Sequence, residues 1–240
     1  MTDLLVVIPV FNEALRIRNS VERLVNFLNG KREDFNIVLS VDPSPDGSDM
    51  ICDELSLQYN QVEVLHNKEK LGRGIAVRDA WYLHNARYYA FIDADLSADE
   101  IALESAFVLI KRNGYNIITG SRYQKGSMTV RPPLRKVISF GYNKIVNLIF
   151  NENISDHQCG LKIIDQVAKE ILLSKTKVNS WFWDTELLVI GTKYGLKIGE
   201  IPISWTERKY ERTHILRLMK DFLIHGWGLI LLYKRTRLIK

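Results

Sequence analysis

The sequence predicts an α/β fold built on a mainly parallel central sheet with helices on both faces. Continuous apolar runs alternate with segments whose apolar residues recur at helical spacing, and the links between them are short. The runs are apolar at nearly every position rather than at alternate ones, as strands covered on both sides must be. Acids stand at the ends of three of these runs, at Glu13, Asp42 and Asp93. The carboxyl ends of parallel strands are where such folds bind ligands.

The elements follow in order. LLVVIPV at 4–10 is the first strand, and Leu15, Val21, Leu24, Val25 and Leu28 mark a helix over 13–28. FNIVLSV at 35–41 is the second strand, and Asp46 or Ser48 can cap a helix that carries Ile51, Leu55 and Leu57. VEVLHN at 62–67 is the third strand, followed by a helix over 74–85. YYAFI at 88–92 is the fourth, with a helix over 98–111 and a further strand, YNIITG, at 115–120. The rhythm then changes. SRYQKGSMTVRPPLRK is polar, basic and turn-rich, and leads into a long helix over 133–150. CGLKIID and LKIGEIPISW read as strands, with a helix over 184–194 between them. No internal repeat or low-complexity tract appears, so the chain reads as one domain with a C-terminal elaboration.

The 240 residues are enough for a sizeable core, and 46% of them are hydrophobic, as in ordinary globular domains. The net charge of +5 is modest, and no basic-aromatic module is visible, which argues against a nucleic-acid partner. The positive charge gathers late, at Arg217, Lys220, Lys234, Arg235, Arg237 and Lys240, among many apolar residues. Cys52 and Cys159 lack metal-ligand spacing, and a reduced, cytoplasmic protein is expected. The N-terminus, with Pro9, Asn12 and Glu13 following its apolar run, does not read as a signal peptide. No run of 18 uncharged apolar residues exists to span a bilayer.

Asp93 and Asp95 flank a single Ala94 at the mouth of an apolar strand. In extended chain, residues two apart point the same way, so the pair repels itself unless a cation joins it. Hard carboxylate oxygens suit Mg²⁺ or Mn²⁺, which bind one or two carboxylates and complete their shell with substrate phosphates. The alternative is that Asp93 is merely solvated while Asp95 or Ser97 caps the next helix. Gly72 and Gly74, just before a helix, fall short of a dinucleotide fingerprint but let the backbone approach a ligand.

VVIPVFNE, VDPSPDGS, KLGRGIAVRDA, DADLS and GSRY occur here in the order found in family 2 glycosyltransferases of the GT-A fold, a Rossmann-like fold for nucleotide-diphospho-sugar transfer. RPPLRKVISFGYNKIVNLIF, DHQCGLKI, WFWDTELL and EIPISWTERKYERTHI then make the chain similar to the dolichyl-phosphate mannose synthase and dolichyl-phosphate glucosyltransferase branch. The resemblance implies transfer of a hexose from a nucleotide-diphosphate sugar, GDP-mannose or UDP-glucose, to a polyprenyl or dolichyl phosphate. It implies that Asp93 and Asp95 hold the metal, with Ser97 at a position where the mannose synthases place a metal-binding Gln. Pro9, Asn12, Glu13 and Asp42 would contact the nucleoside. Arg122, Arg135 and Ser139 match positions that hold the acceptor phosphate. Arg208 matches a basic residue on the diphosphate, ahead of a candidate lid over 209–214. Asp156 stands where relatives place an acid near the reacting sugar.

The chemistry of these residue types agrees. Arg offers a planar fork to phosphate oxygens, and Arg135 and Ser139 lie four apart on one helix face. His157 and Cys159 are too few for a zinc site. Residues 1–212 are expected to form the GT-A domain, and 213–240 a basic amphipathic C-terminal helix. That segment and the 134–150 helix mix Arg and Lys with Leu, Ile, Phe and Trp. They are expected either to lie in the cytoplasmic face of a membrane, as a peripheral protein's helices do, or to serve as core or dimer helices. A soluble or protein acceptor, or a nucleotide-sugar-binding protein without turnover, are the competing readings.

Overall fold

A computed structural model of the chain describes residues 1–31, 34–206, 215–237 and 239. The first half alternates as the apolar runs predict. It comprises β1 (Thr2–Val10), α1 (Ile17–Asn29), β2 (Phe35–Val41), α2 (Ser48–Gln58), β3 (Val62–His66), α3 (Arg73–Leu83), β4 (Ala86–Ile92), α4 (Glu100–Asn113) and β5 (Ile117–Ser121). The second half comprises β6 (Met128–Val130), α5 (Pro133–Phe150), β7 (Leu161–Asp165), α6 (Gln166–Lys175), α7 (Trp183–Lys193), β8 (Ile198–Pro202), β9 (Ser204–Thr206) and α8 (Ile215–Thr236).

Seven strands form the central sheet in the order β3-β2-β1-β4-β7-β5-β8. All neighbours are parallel except at β7, which runs antiparallel to both β4 and β5. A separate parallel ribbon pairs β6 with β9. The mainly parallel α/β fold expected from the sequence is therefore present. β1 shows why its run is apolar throughout. Leu4, Val6 and Ile8 face a core shared with α1, α2 and α4, while Leu5 and Val7 face one shared with α3, α6 and α7.

Several boundaries differ from the sequence reading for local reasons. α1 begins at Ile17, not 13, because the preceding turn spends its N–H groups on another loop. Asn12, Glu13 and Ala14 donate from their backbones to Ser44 Oγ, Ser48 Oγ and Asp46 Oδ2 at 3.1, 2.8 and 2.9 Å. Leu15, read as part of the helix face, is consequently exposed. In α2 the buried face is Ser48, Cys52 and Leu55, so Leu57 is exposed. α6 was hidden because it follows β7 without a break. Asp165 ends the strand and also caps the helix, accepting from Ala168 N–H at 2.7 Å. The strand expected over 196–205 is two strands, parted at Ile203.

Beneath the site, α3, β4 and α7 meet through three aromatic rings. Trp183 lies 5.6 Å from Trp81 and 5.4 Å from Phe91, centroid to centroid, and all three are fully buried. Gly74 lets α3 settle on this cluster: a Cβ there would lie 2.5 Å from the Val178 carbonyl and 2.8 Å from Trp183 Cβ. At the far side, α8 buries Leu229 and Leu232, and Arg235 reaches Glu186 of α7 at 2.6 Å. Among the described residues, no helix is long and apolar enough to cross a membrane. Truncating Trp183 to Ala is expected to cost about 3–5 kcal/mol of stability, read from urea denaturation, because the cavity is ringed by rigid aromatics.

Candidate active site

The acids predicted at strand ends do share one rim. β2, β1 and β4 are neighbours in the sheet, and all three run the same way. Asp42, Glu13 and Asp93 follow their carboxyl ends. Asp42 is buried and accepts from Asn67 Nδ2 at 3.0 Å and Gly72 N–H at 3.1 Å. Pro9, in β1, pairs in register with Ser40 of β2. Asn12 holds the positive φ of 58° that turns the chain after β1. Glu13 pairs with Arg16 at 3.2 Å. Burial raises the Glu13 pKa, and the charges of Asp95 and Asp93 add to the rise against the pull of Arg16.

Asp93, half-buried, is held from two sides. Its backbone N–H donates to the Gly160 carbonyl at 3.0 Å, and its carboxylate accepts from Arg73. A Cβ on Gly160 would lie 1.7 Å from Asp93 Oδ2, so only glycine fits beneath that carboxylate. Burial pushes the Asp93 carboxyl up to about 6, with Asp95 and Asp184 adding to the effect and Arg73 opposing it. Asp95 accepts from the N–H of Ser97 at 2.9 Å and from the Ser97 hydroxyl, across a tight turn where Leu96 has φ 46°. The capping alternative is settled by Asp99, which accepts from Ala102 N–H at 2.9 Å and leaves Asp95 and Ser97 outside that role.

Behind Asp93 lies a set of charges that the sequence reading did not single out. Arg73 Nη1 is 3.1 Å from Asp184 Oδ2, and Lys162 Nζ is 2.9 Å from Asp184 Oδ1. Burial works against the Arg73 charge, but Asp184 and Asp93 outweigh it and raise its pKa. All three residues lie inside segments already notable in the sequence, KLGRG, CGLK and WFWDTE. Their pairing joins α3, β7 and α7 across the fold, and no local pattern encodes it.

The second cluster joins β5 to the loop before β7. Arg122 grips Asp156 with two side-chain bonds of 2.7 Å, and its backbone N–H adds a third at 3.0 Å. Burial opposes the ionised form of Asp156, yet the Arg122 charge and bonds carry its pKa below the usual carboxylate range. Glu200 of β8, another residue missed by the sequence reading, accepts from Ser155 Oγ at 2.7 Å and Asp156 N–H at 3.2 Å. Tyr123 packs on Phe140 of α5 at 6.2 Å, which brings the Arg122 turn beside the helix carrying Arg135 and Ser139. Both of these residues are half-buried. Gly72 and Gly74 face protein: a Cβ on Gly72 would lie 2.9 Å from the Asn179 carbonyl, so they admit the 178–183 segment rather than an open ligand face. Cys159 is buried and its thiol is pushed up to about 12 by that burial, as suits a core residue. Arg208 and the loop over 209–214 lie outside the described residues.

The rim thus presents hard carboxylate oxygens at Asp93 and Asp95, the donor set suited to Mg²⁺ or Mn²⁺. No group of three or more His, Cys, Asp or Glu side chains is placed to hold a metal among the described residues. Two carboxylates are the number such an ion commonly takes from a protein. A mainly parallel α/β sheet with acids along the rim where ligands bind is the architecture of the GT-A fold.

The comparisons agree. The family model for glycosyl transferase family 2 matches residues 5–172, and the chain belongs to that family. It is 32% identical over 216 residues to glycosyltransferase AglD of Haloferax volcanii, covering 88% of this chain but 34% of that protein. The chain thus spans about a third of the length of this curated relative. It is 27% identical over 242 residues to a dolichyl-phosphate beta-glucosyltransferase of Saccharomyces cerevisiae, covering 91% and 72% of the two chains. In fold it is similar to glucosyl-3-phosphoglycerate synthase from Mycobacterium tuberculosis, solved with Mn²⁺, UDP-glucose and phosphoglyceric acid. The TM-score is 0.74 at 14% identity, with 97% and 80% coverage. Mannosyl-3-phosphoglycerate synthase from Rubrobacter xylanophilus matches with a TM-score of 0.71 at 15% identity, over 98% and 73% of the chains.

The raised pKa of Asp93 has a direct consequence for stability. The native protein retains a proton there that the unfolded chain releases near the ordinary value of 3.8. Stability from this group therefore falls as pH rises toward about 6. In EDTA, the urea midpoint of the wild type is expected to fall relative to that of Asp93→Asn between about pH 4 and about pH 7.

Proposed function

We propose that this glycosyltransferase moves glucose from UDP-glucose to a polyprenyl phosphate of the dolichyl type at a membrane surface. The observation that carries the reading is the likeness to dolichyl-phosphate beta-glucosyltransferases along most of the chain and about two thirds or more of several of theirs. It favours the glucosyl over the mannosyl branch. Residues 1–212 form the catalytic unit in this reading, and 213–240 the membrane-facing segment that carries α8.

Asp93 and Asp95 would hold the divalent ion, which supplies charge neutralisation for the departing diphosphate. Asp42, Asn12, Glu13 and Pro9 border the nucleoside pocket, and Ser97 orients Asp95. The acceptor phosphate oxygen attacks the anomeric carbon on the face opposite the leaving group. The bond from that carbon to the donor diphosphate breaks, and the diphosphate departs with the electron pair. The configuration inverts in this single displacement. A phosphate oxygen is already anionic at neutral pH, so no strong base is required. Asp156, locked on Arg122, orients that guanidinium rather than accepting a proton. Arg135 and Ser139 bring the acceptor phosphate to the site, and Arg208 acts on the diphosphate.

The surface supports a lipid acceptor. α5 exposes Leu134, Val137, Phe140 and Leu148, and α8 exposes Trp227 and Ile230. The two helices touch. Arg135, Lys136 and Lys144 interleave with the apolar side chains of α5, while Lys234 and Arg235 end α8. Apolar faces edged with cations lie in the interface of anionic bilayers.

Incubation with polyprenyl phosphate and either labelled UDP-glucose or labelled GDP-mannose, followed by lipid extraction, tests this directly. Label should enter the lipid from UDP-glucose, and an unlabelled lipid phase with both donors would refute the assignment. Arg135→Ala is expected to lower lipid transfer by about two orders of magnitude or more while leaving UDP affinity, by calorimetry, unchanged. The wild type should co-float with anionic vesicles, whereas an enzyme for a soluble acceptor should remain in the pellet fraction.

A further inference from the structure

Arg73 is enclosed by protein. Its Nη2 donates to Asp93, its Nη1 lies 3.1 Å from Asp184, and its guanidinium faces Trp181 at 4.5 Å and Phe91 at 5.0 Å. The side chain is 4% exposed, against 1% for Asp184, and Lys162 is fully buried. These are not surface pairs that solvent screens. Asp93 and Asp184 are balanced by Arg73 and Lys162 before Asp95 and Glu13 are counted. One oxygen of Asp93, the inner carboxylate of the pair, is thus already compensated by a fixed internal cation.

We propose that Arg73 is a positioning residue that acts as a resident counter-ion on Asp93, so that a divalent ion binds tightly only together with the donor's diphosphate. The inference rests on the metal reading of Asp93 and Asp95. A free divalent ion entering the rim meets the field of a buried, immobile guanidinium beside one of its two carboxylates. A diphosphate brings negative charge that offsets this field and supplies the oxygens that the protein lacks. The arrangement also fixes geometry. Arg73 holds Oδ1 of Asp93, and Gly160 leaves room for Oδ2, where a Cβ would stand 1.7 Å from it and 3.0 Å from Arg73 Nη2. The carboxylate is therefore kept in one orientation before any ligand arrives.

The test is Mn²⁺ binding followed by electron paramagnetic resonance, with and without UDP, in the wild type and Arg73→Met. The wild type should bind the free ion about tenfold or more weakly than it binds the ion with UDP. Arg73→Met should tighten free-ion binding by about tenfold and shrink the effect of UDP. A cooperatively melting Arg73→Met that binds free Mn²⁺ no better than the wild type overturns the inference alone. A wild type that binds no Mn²⁺ even with UDP overturns both the inference and the metal reading. Should Arg73→Met fail to fold, Arg73→Gln takes its place, since it removes the charge while keeping an amide donor for the Asp93 and Asp184 carboxylates. A smaller tightening in the same direction supports the inference, and unchanged binding overturns it.

Discussion

Four charges meet behind the carboxyl rim of the sheet, and the placement of Asp93 depends on their staying paired. Asp93 follows β4, and Arg73, Asp184 and Lys162 come from α3, α7 and β7, so their contacts tie two helices of one face to the sheet. Leaving one member of such a buried pair alone costs about 3–5 kcal/mol, far more than a surface pair contributes. The network therefore holds the inner carboxylate of the rim in place and dictates what may lie near it. Gly160 is the clearest case, since any side chain there would displace Asp93.

The same region links the rim to the C-terminal helix. Glu186, two residues after Asp184, accepts from Lys177 and Val178 N–H at 3.0 and 2.8 Å and from Arg235 of α8 at 2.6 Å. The segment so held continues to Asn179, whose carbonyl accepts from Gly74 N–H at 2.9 Å, and to Trp181 on Arg73. Gly228 of α8 meets Phe182, with room for no Cβ beyond 2.8 Å from the ring. The proposed membrane-facing helix is thus packed, through one short segment, against the charges behind the site.

Two kinds of residue were legible at different depths. Asp93, Asp95, Asp42 and Glu13 could be placed on one rim because strand direction is implied by βαβ connection, and each acid ends an apolar run. Arg122 and Asp156 were both singled out, yet as separate ligands. Their bidentate pairing spans 34 residues of chain and leaves Arg122 committed to a protein partner. Gly72 and Gly74 suggest in sequence a backbone open to a ligand, whereas what approaches them is the 178–183 segment, still more remote in sequence. Arg73, Lys162, Asp184 and Glu200 carried no signal of their own, because an isolated charged residue in a sequence is indistinguishable from a solvated one.

The sequence by itself determined the alternation of elements, the mainly parallel sheet, the family and the acid rim. These follow from local periodicity and from the order of short motifs, which need no knowledge of distant contacts. Only the tertiary structure decided which charges neutralise which, where β7 reverses, and why Gly160 must lack a side chain. Each of those is a contact between segments far apart in the chain, and burial makes its energy large enough to govern the site.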